Sequence, residues 1–191
     1  MKKNISLFAA VLFCAWSTVN ATFPVIEKVP QDLSNTVFVQ EGSPKALASL
    51  KGTPVVLCYG ADFCPSCHKA LPGLDQLSEN WGTALKVAVV TTADRKVYKS
   101  MTANTFFLET FGDEGGELRT RIDLKAFPTF LFINDAGMLV AKTEGGPSWN
   151  SPEMMTFMRD FVQNKGHLKS GTSTTDSLLS QAILWVKKLF S

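Results

Sequence analysis

The four residues CPSC at positions 64–67 constrain the fold more than any other stretch of this chain. They come directly after the run PVVLCY at 54–59, whose continuous apolar character is typical of a strand buried on both faces. They also open a segment, 65–81, whose apolar residues recur at helical spacing. The sequence therefore predicts a cysteine pair at the junction of a buried strand and a helix. Because His68 follows directly, the letters CxxCH permit haem attachment, and CxxC alone permits a metal site, a structural disulfide or a redox-active dithiol.

Helix geometry favours the redox-active dithiol. A cysteine in the first turn of a helix points its sulfur at unpaired backbone N–H groups and at the positive end of the helix dipole, which stabilise the thiolate. Cys64 is therefore predicted as the nucleophile, and Cys67, one turn further along, as the resolving thiol. His68 lies four residues after Cys64 on the same helical face, where a protonated ring would stabilise the thiolate further. A solvated surface histidine fits the sequence equally well.

Haem and zinc fit the rest of the chain poorly. A small haem domain is expected to be mostly helical, whereas several β-rich runs flank this motif. A structural zinc site needs four ligands, and beside the CxxC pair only Cys58, His68 and His167 remain to complete it. We therefore expect no metal and no cofactor, and a structural disulfide remains the alternative to the dithiol.

The amino terminus has the layout of a secretory signal peptide. Basic residues at 2–3 precede an apolar run at 5–16, and a small-residue site ends at Ala21. The apolar run is too short to cross ~30 Å of hydrocarbon as a helix. We therefore predict that segment 1–21 is a signal peptide cleaved after Ala21, that Cys14 is lost with it, and that the protein is periplasmic or secreted.

The charge balance excludes some partners. Two of the 19 basic residues lie in the predicted signal peptide, which leaves 17 basic and 17 acidic residues. With no block of like charge, the sequence indicates no nucleic-acid partner. The mature length suits one domain. We divide it into an N-terminal extension at 22–42, a domain at 43–165, and a linker with an amphipathic C-terminal helix at 166–191.

The C-terminal helix is predicted from residues 178–190, in which nine of thirteen residues are apolar. It is too short to span a bilayer. It would either dock on its own domain or in a dimer, or lie on a membrane surface near a redox partner.

The remaining elements are predicted from hydrophobic spacing and turn residues. Strands are predicted at 36–40, 85–90, 129–133 and 138–142, with a hairpin turn at 134–137. Helical segments are predicted at 43–50, from 93 through Phe111, in a short piece ending at Ile122, and at 152–164 with Ser151 as N-cap. Strands that alternate with helices and end in a hairpin and a helix predict an α/β fold with a mixed sheet.

With these elements in order, the sequence resembles the thioredoxin superfamily over most of the mature chain. The stretch from Val55 through residues 64–67 is similar to the strand and active-site helix of that family, and Pro72 matches the proline that kinks this helix. The tripeptide at 127–129, Phe-Pro-Thr, resembles the cis-proline loop that faces the dithiol and pairs with the substrate backbone. The turn at 134–137 matches the closing hairpin.

Two features depart from a plain thioredoxin. Cys58 stands where thioredoxins carry a buried aspartate, so the group usually assigned as proton acceptor for the resolving thiol is missing. The chain is also longer at 93–122, before the cis-proline loop, and this excess resembles the insert of the exported TlpA, ResA and DsbE group.

The resemblance implies a thioredoxin-like fold and a thiol–disulfide oxidoreductase without a cofactor. Cys64 and Cys67 would be the catalytic, redox-active disulfide; Phe63, Phe127 and Pro128 would bind substrate; Cys58 and His68 would be modulators. The implied partners are proteins with cysteines or disulfides and a membrane redox partner. We expect the protein to reduce or isomerise disulfides. The alternatives are a disulfide-forming oxidant, or a non-catalytic thioredoxin-like module for binding or assembly.

Overall fold

The computed structural model describes residues 29–40, 42–92 and 102–168. The predicted signal peptide, the predicted C-terminal helix at 178–190 and the first part of the predicted insert, 93–101, lie outside these ranges. Within them, no helix has both the length and the apolar character needed to span a membrane.

The described residues form eight strands and three α-helices, joined by turns and loops. The strands are β1 (Gln31–Asp32), β2 (Val37–Gln40), β3 (Ser43–Ala46), β4 (Val55–Gly60), β5 (Lys86–Thr91), β6 (Glu109–Gly112), β7 (Thr129–Ile133) and β8 (Met138–Glu144). The helices are α1 (Pro65–Trp81), α2 (Glu117–Arg121) and α3 (Pro152–Gln163), with short 3₁₀ turns at Leu47–Leu50 and Gly82–Ala84.

The strands form one mixed sheet in the order β1-β8-β7-β4-β5-β6-β2-β3. β4 pairs with β5 in parallel and with β7 in antiparallel orientation, and β5 pairs with β6 in parallel. All residues of β4 and β7 are buried, because each strand has neighbours on both sides and core on both faces. The α/β fold class predicted from the sequence is confirmed.

Two apolar layers cover the faces of the sheet. On one face, α1 and α3 pack against alternate residues of β4, β5 and β7, and this layer includes Cys58, Cys64 and Cys67. On the other face, α2, the first 3₁₀ turn and the segment around Leu33 pack against the intervening residues, among them Tyr59. The alternation of side chains along β4 therefore places Cys58 and Tyr59 on opposite faces.

Two helical predictions are wrong. Residues 43–50 form β3 followed by a 3₁₀ turn. β3 lies at an edge of the sheet, and an edge strand tolerates Pro44 because no further strand requires its missing N–H. The helical pattern predicted through Phe111 ends instead in β6, which lies between β5 and β2. The aromatic residues there do not share one face, since Phe111 is buried while Phe106 is exposed.

The sheet begins before residue 43. β1 and β2 both fall within the segment predicted as an N-terminal extension, yet β1 pairs with β8 and β2 pairs with β6. Part of that extension therefore belongs to the sheet.

The chain after α3 turns back onto the β7–β8 hairpin through Gly166. This glycine has φ +82°, and its N–H donates to the carbonyl of Phe161 at 2.7 Å. A Cβ on Gly166 would overlap the backbone of Asn134 and lie 2.8 Å from the Asn134 Cβ. Both the dihedral angle and the contact therefore require glycine.

Candidate active site

The two cysteines of the CxxC pair lie where β4 ends and α1 begins. Cys64 is the N-cap of α1, with extended dihedral angles, and Pro65 occupies the first helical position, where a missing N–H costs nothing. The pair forms a disulfide, with the Cα atoms 5.3 Å apart. Cys64 is 7% exposed and Cys67 is fully buried. A substrate sulfur can therefore approach Cys64 but not Cys67.

The sulfur of Cys64 has two polar neighbours. The backbone N–H of Cys67 donates to Cys64 Sγ at 3.1 Å, and the hydroxyl of Ser66 lies 3.2 Å from the same sulfur. When the disulfide is reduced, donors at these positions stabilise a thiolate on Cys64 over the neutral thiol.

His68 contacts the loop before the dithiol rather than the sulfur. Its ring Nε2 lies 2.7 Å from the carbonyl oxygen of Asp62, which accepts the hydrogen bond from the ring. The side chain is exposed. This contact connects the first turn of α1 to residue 62, so any influence of His68 on Cys64 is exerted through the loop.

Phe127 and Pro128 are linked to the dithiol through Phe63, which directly precedes Cys64 and contacts the ring of Phe127. The rings of Phe63 and Phe127 meet edge to face with centroids 5.9 Å apart, and Phe63 is 75% exposed. The Phe127–Pro128 peptide bond is cis, and Pro128 is buried. The carbonyl of Pro128 accepts a hydrogen bond from the N–H of Gly145 at 2.8 Å. An apolar rim with exposed aromatic surface therefore stands next to Cys64.

Cys58 is a buried thiol on the same face of the sheet as the dithiol. It is fully inaccessible, and burial raises its pKa to about 12. A thiol with this pKa stays protonated at neutral pH. Cys58 therefore does not replace the carboxylate that thioredoxins carry at this position as a proton acceptor.

Alkylation tests whether the Cys58 thiol is buried and protonated in the folded protein. The thiolate is the reactive form, and with a pKa of about 12 only about one molecule in ten thousand carries it at pH 8. We expect iodoacetamide to modify Cys64 but not Cys58 in the folded, reduced protein, and to modify Cys58 once urea is added, as read by peptide mass spectrometry. Modification of Cys58 in the folded protein at the rate of Cys64 would contradict its burial.

Sequence reasoning missed a buried polar pair on the opposite face. The hydroxyl of Tyr59 donates to the carboxylate of Asp113 at 2.8 Å, and Asp113 is 2% exposed. Burial, followed by this carboxylate, raises the pKa of Tyr59 well above its ordinary value. The sequence offered only a weak signal, because Tyr59 continues an apolar run and Asp113 opens a Gly-rich turn.

Comparison with known proteins identifies a family and several similar proteins. A model of the AhpC/TSA family matches residues 26–142. The chain is 26% identical over 115 residues to the thiol:disulfide interchange protein TxlA homolog of Synechocystis, which covers 60% of this chain and 54% of that protein. It therefore spans about half the length of that relative.

Two further proteins are similar. The soluble secreted antigen MPT53 of Mycobacterium tuberculosis is 26% identical over 118 residues, covering 61% of this chain and 68% of the antigen. The crystal structure of a thio-disulfide isomerase from Thermus thermophilus superposes with a TM-score of 0.58 at 19% identity, covering 74% of this chain and 100% of that chain. At this identity the superposition shows the shared fold.

Proposed function

Because this chain belongs to the AhpC/TSA family of thioredoxin-like proteins, we propose that it is an exported thiol–disulfide oxidoreductase whose redox-active pair is Cys64 and Cys67. The observation that carries the proposal is the disulfide at the N-terminus of α1, in which Cys64 keeps a small exposed fraction and Cys67 keeps none. The similarity to the thiol:disulfide interchange protein TxlA homolog supports the same chemistry.

The reducing reaction proceeds in two exchanges. The Cys64 thiolate attacks one sulfur of a substrate disulfide, the substrate S–S bond breaks, and the second substrate sulfur leaves as a thiolate that takes a proton from water. Cys67, deprotonated, then attacks Cys64 in the mixed disulfide and releases the first substrate sulfur. Two electrons pass to the substrate, and the Cys64–Cys67 disulfide forms. Since Cys58 stays protonated, another group or water takes the proton of Cys67.

The Phe127–Pro128 loop is proposed to bind the substrate chain. A peptide whose disulfide sulfur reaches Cys64 passes the exposed ring of Phe63 and the ring of Phe127. These rings offer apolar contact, and the backbone at Phe127 is proposed to hydrogen-bond to a substrate chain that lies alongside it as an added strand. Substrates are therefore proteins with cysteines or disulfides rather than small polar molecules.

The proposal also covers the location of the protein and the re-reduction of its Cys64–Cys67 disulfide. The signal-peptide pattern at 1–21 supports a periplasmic or secreted location, as does the similarity to a secreted antigen. Outside the cytoplasm a reductant needs a source of electrons, and we propose a membrane redox partner. The apolar residues 178–190 are proposed to hold the protein near that membrane.

The reduction potential of the Cys64–Cys67 pair tests the proposal. The mature protein is equilibrated with glutathione or dithiothreitol buffers, and a Cys58→Ala variant, which keeps the pair, serves as control. A value near ~−270 mV supports a reductant, and a value near ~−120 mV shows a disulfide-forming oxidant instead. A pair that does not cycle reversibly would overturn the proposal and favour a binding module.

A further inference from the structure

We propose that Tyr59 and Asp113 are positioning residues that hold the Phe127–Pro128 loop against the dithiol and thereby set the affinity for peptide substrates. This inference rests on the proposed function, because it assigns a role to residues next to that site. Neither side chain touches the sulfur atoms. Their effect would be exerted through the substrate loop.

The pair joins two elements that the backbone brings together only indirectly. Tyr59 belongs to β4, which leads into the CxxC pair, whereas Asp113 follows β6. Their side chains meet at 2.8 Å, and both residues are at least 98% buried. A hydrogen bond to a carboxylate in such surroundings is shielded from water, so it holds the two elements at a fixed separation.

Asp113 also fixes the helix that leads into the substrate loop. Its carboxylate accepts hydrogen bonds from the backbone N–H groups of Leu118 at 3.2 Å and Arg119 at 3.0 Å, in the first turn of α2. Its own N–H donates to the carbonyl of Thr91 at the end of β5. Only residues 122–126 separate α2 from Phe127. The start of the loop is therefore anchored to the sheet through Asp113.

Tyr59 fixes the other side of the loop. Its ring lies against the ring of Phe127, with centroids 6.1 Å apart, and its backbone pairs with Thr129, which follows Pro128. The ring of Phe127 in turn meets Phe63, the residue before Cys64. A series of contacts thus runs from Asp113 through Tyr59 and Phe127 to the rim of the dithiol.

The hydroxyl group distinguishes positioning from ordinary core packing. Phenylalanine at position 59 would keep the ring contact with Phe127 and would need no polar partner in the core. The phenol adds the link to Asp113, and with it the link to α2. Tyr59→Phe therefore removes the positioning bond and keeps the ring, while the Asp113 carboxylate retains its two backbone N–H donors.

The test compares a peptide substrate with a small one. We measure reduction of a decapeptide carrying a mixed disulfide with glutathione, and reduction of hydroxyethyl disulfide, which is too small to need the loop. We expect Tyr59→Phe to raise KM for the peptide about fivefold, the size of one hydrogen bond. The kcat value, the rate with hydroxyethyl disulfide and the reduction potential should stay unchanged. Asp113→Asn should act in the same direction.

A core variant of α3, Val162→Ala, provides the control, since Val162 is buried in the layer on the opposite face of the sheet from Tyr59. It should lower stability and leave KM unchanged. Equal KM values for wild type and Tyr59→Phe, or an equal loss of activity with both substrates, would overturn the inference.

If the wild type reduces neither disulfide, the proposed function fails, and amide hydrogen exchange then tests the positioning alone. Amide exchange at 122–127 should be at least about fivefold faster in Tyr59→Phe, and equal exchange would overturn the inference.

Discussion

A Cys64→Ser variant of the mature protein should reduce disulfides at least about a thousandfold more slowly than the wild type, because the hydroxyl that replaces the attacking sulfur is not ionised at neutral pH. Cys67→Ser should differ in kind. It keeps the attacking sulfur but lacks the group that releases the substrate, so a mixed disulfide should accumulate on Cys64. Non-reducing electrophoresis and intact mass spectrometry with a disulfide-bonded protein substrate distinguish the two outcomes.

Cys58→Ala is the matched control for these variants. It removes the third thiol of the predicted mature chain, which is buried and stays protonated at neutral pH, and it should retain the wild-type rate. Loss of activity in Cys58→Ala with unchanged stability would show that this thiol takes part in the reaction. A mixed disulfide on Cys64→Ser would show that Cys67 can attack substrate, contrary to its complete burial.

Gly166→Ala should lower the free energy of unfolding by about 3–4 kcal/mol. About 1 kcal/mol comes from placing alanine at a positive φ, and the rest from overpacking against Asn134. For a protein of this size the loss corresponds to a fall in Tm of about 10 °C. Urea denaturation followed by circular dichroism measures the first quantity, and differential scanning calorimetry the second.

Gly52→Ala separates the two contributions. Gly52 also has a positive φ, +90°, but a Cβ there would have no heavy atom within 4 Å. We expect Gly52→Ala to lower the free energy of unfolding by only about 1 kcal/mol. Similar losses at both positions would mean that the α3 turn and the hairpin move apart readily, and that the contact with Asn134 is unimportant.

The parts of the fold that were predicted correctly are determined by residues close together in the sequence. β4, β5 and β7 are continuous apolar runs because they are buried on both faces, and α1 begins at a cysteine followed by proline. The β7–β8 hairpin is encoded by the four residues of its turn. In each case the physical cause lies within a few positions of the pattern.

The parts that were missed depend on distant partners. β3 and β6 are short, partly polar strands whose conformation is decided by the strands they pair with. The pair of Tyr59 and Asp113 joins residues 54 positions apart, and neither residue type identifies the other. Local patterns therefore located the dithiol, while the support of the neighbouring loop required the structure.

The two edges of the sheet, as far as the structure describes it, affect how readily another extended chain could pair with this protein. β1 has two residues, and β3 has four, among them Pro44, which lacks an N–H, and Lys45, whose charge opposes stacking of like strands. Unfolded chains with free cysteines are prone to add to any long open strand. Within the described residues, edges this short and interrupted give another chain little template for edge-to-edge pairing, so contact with an unfolded polypeptide need not lead to aggregation.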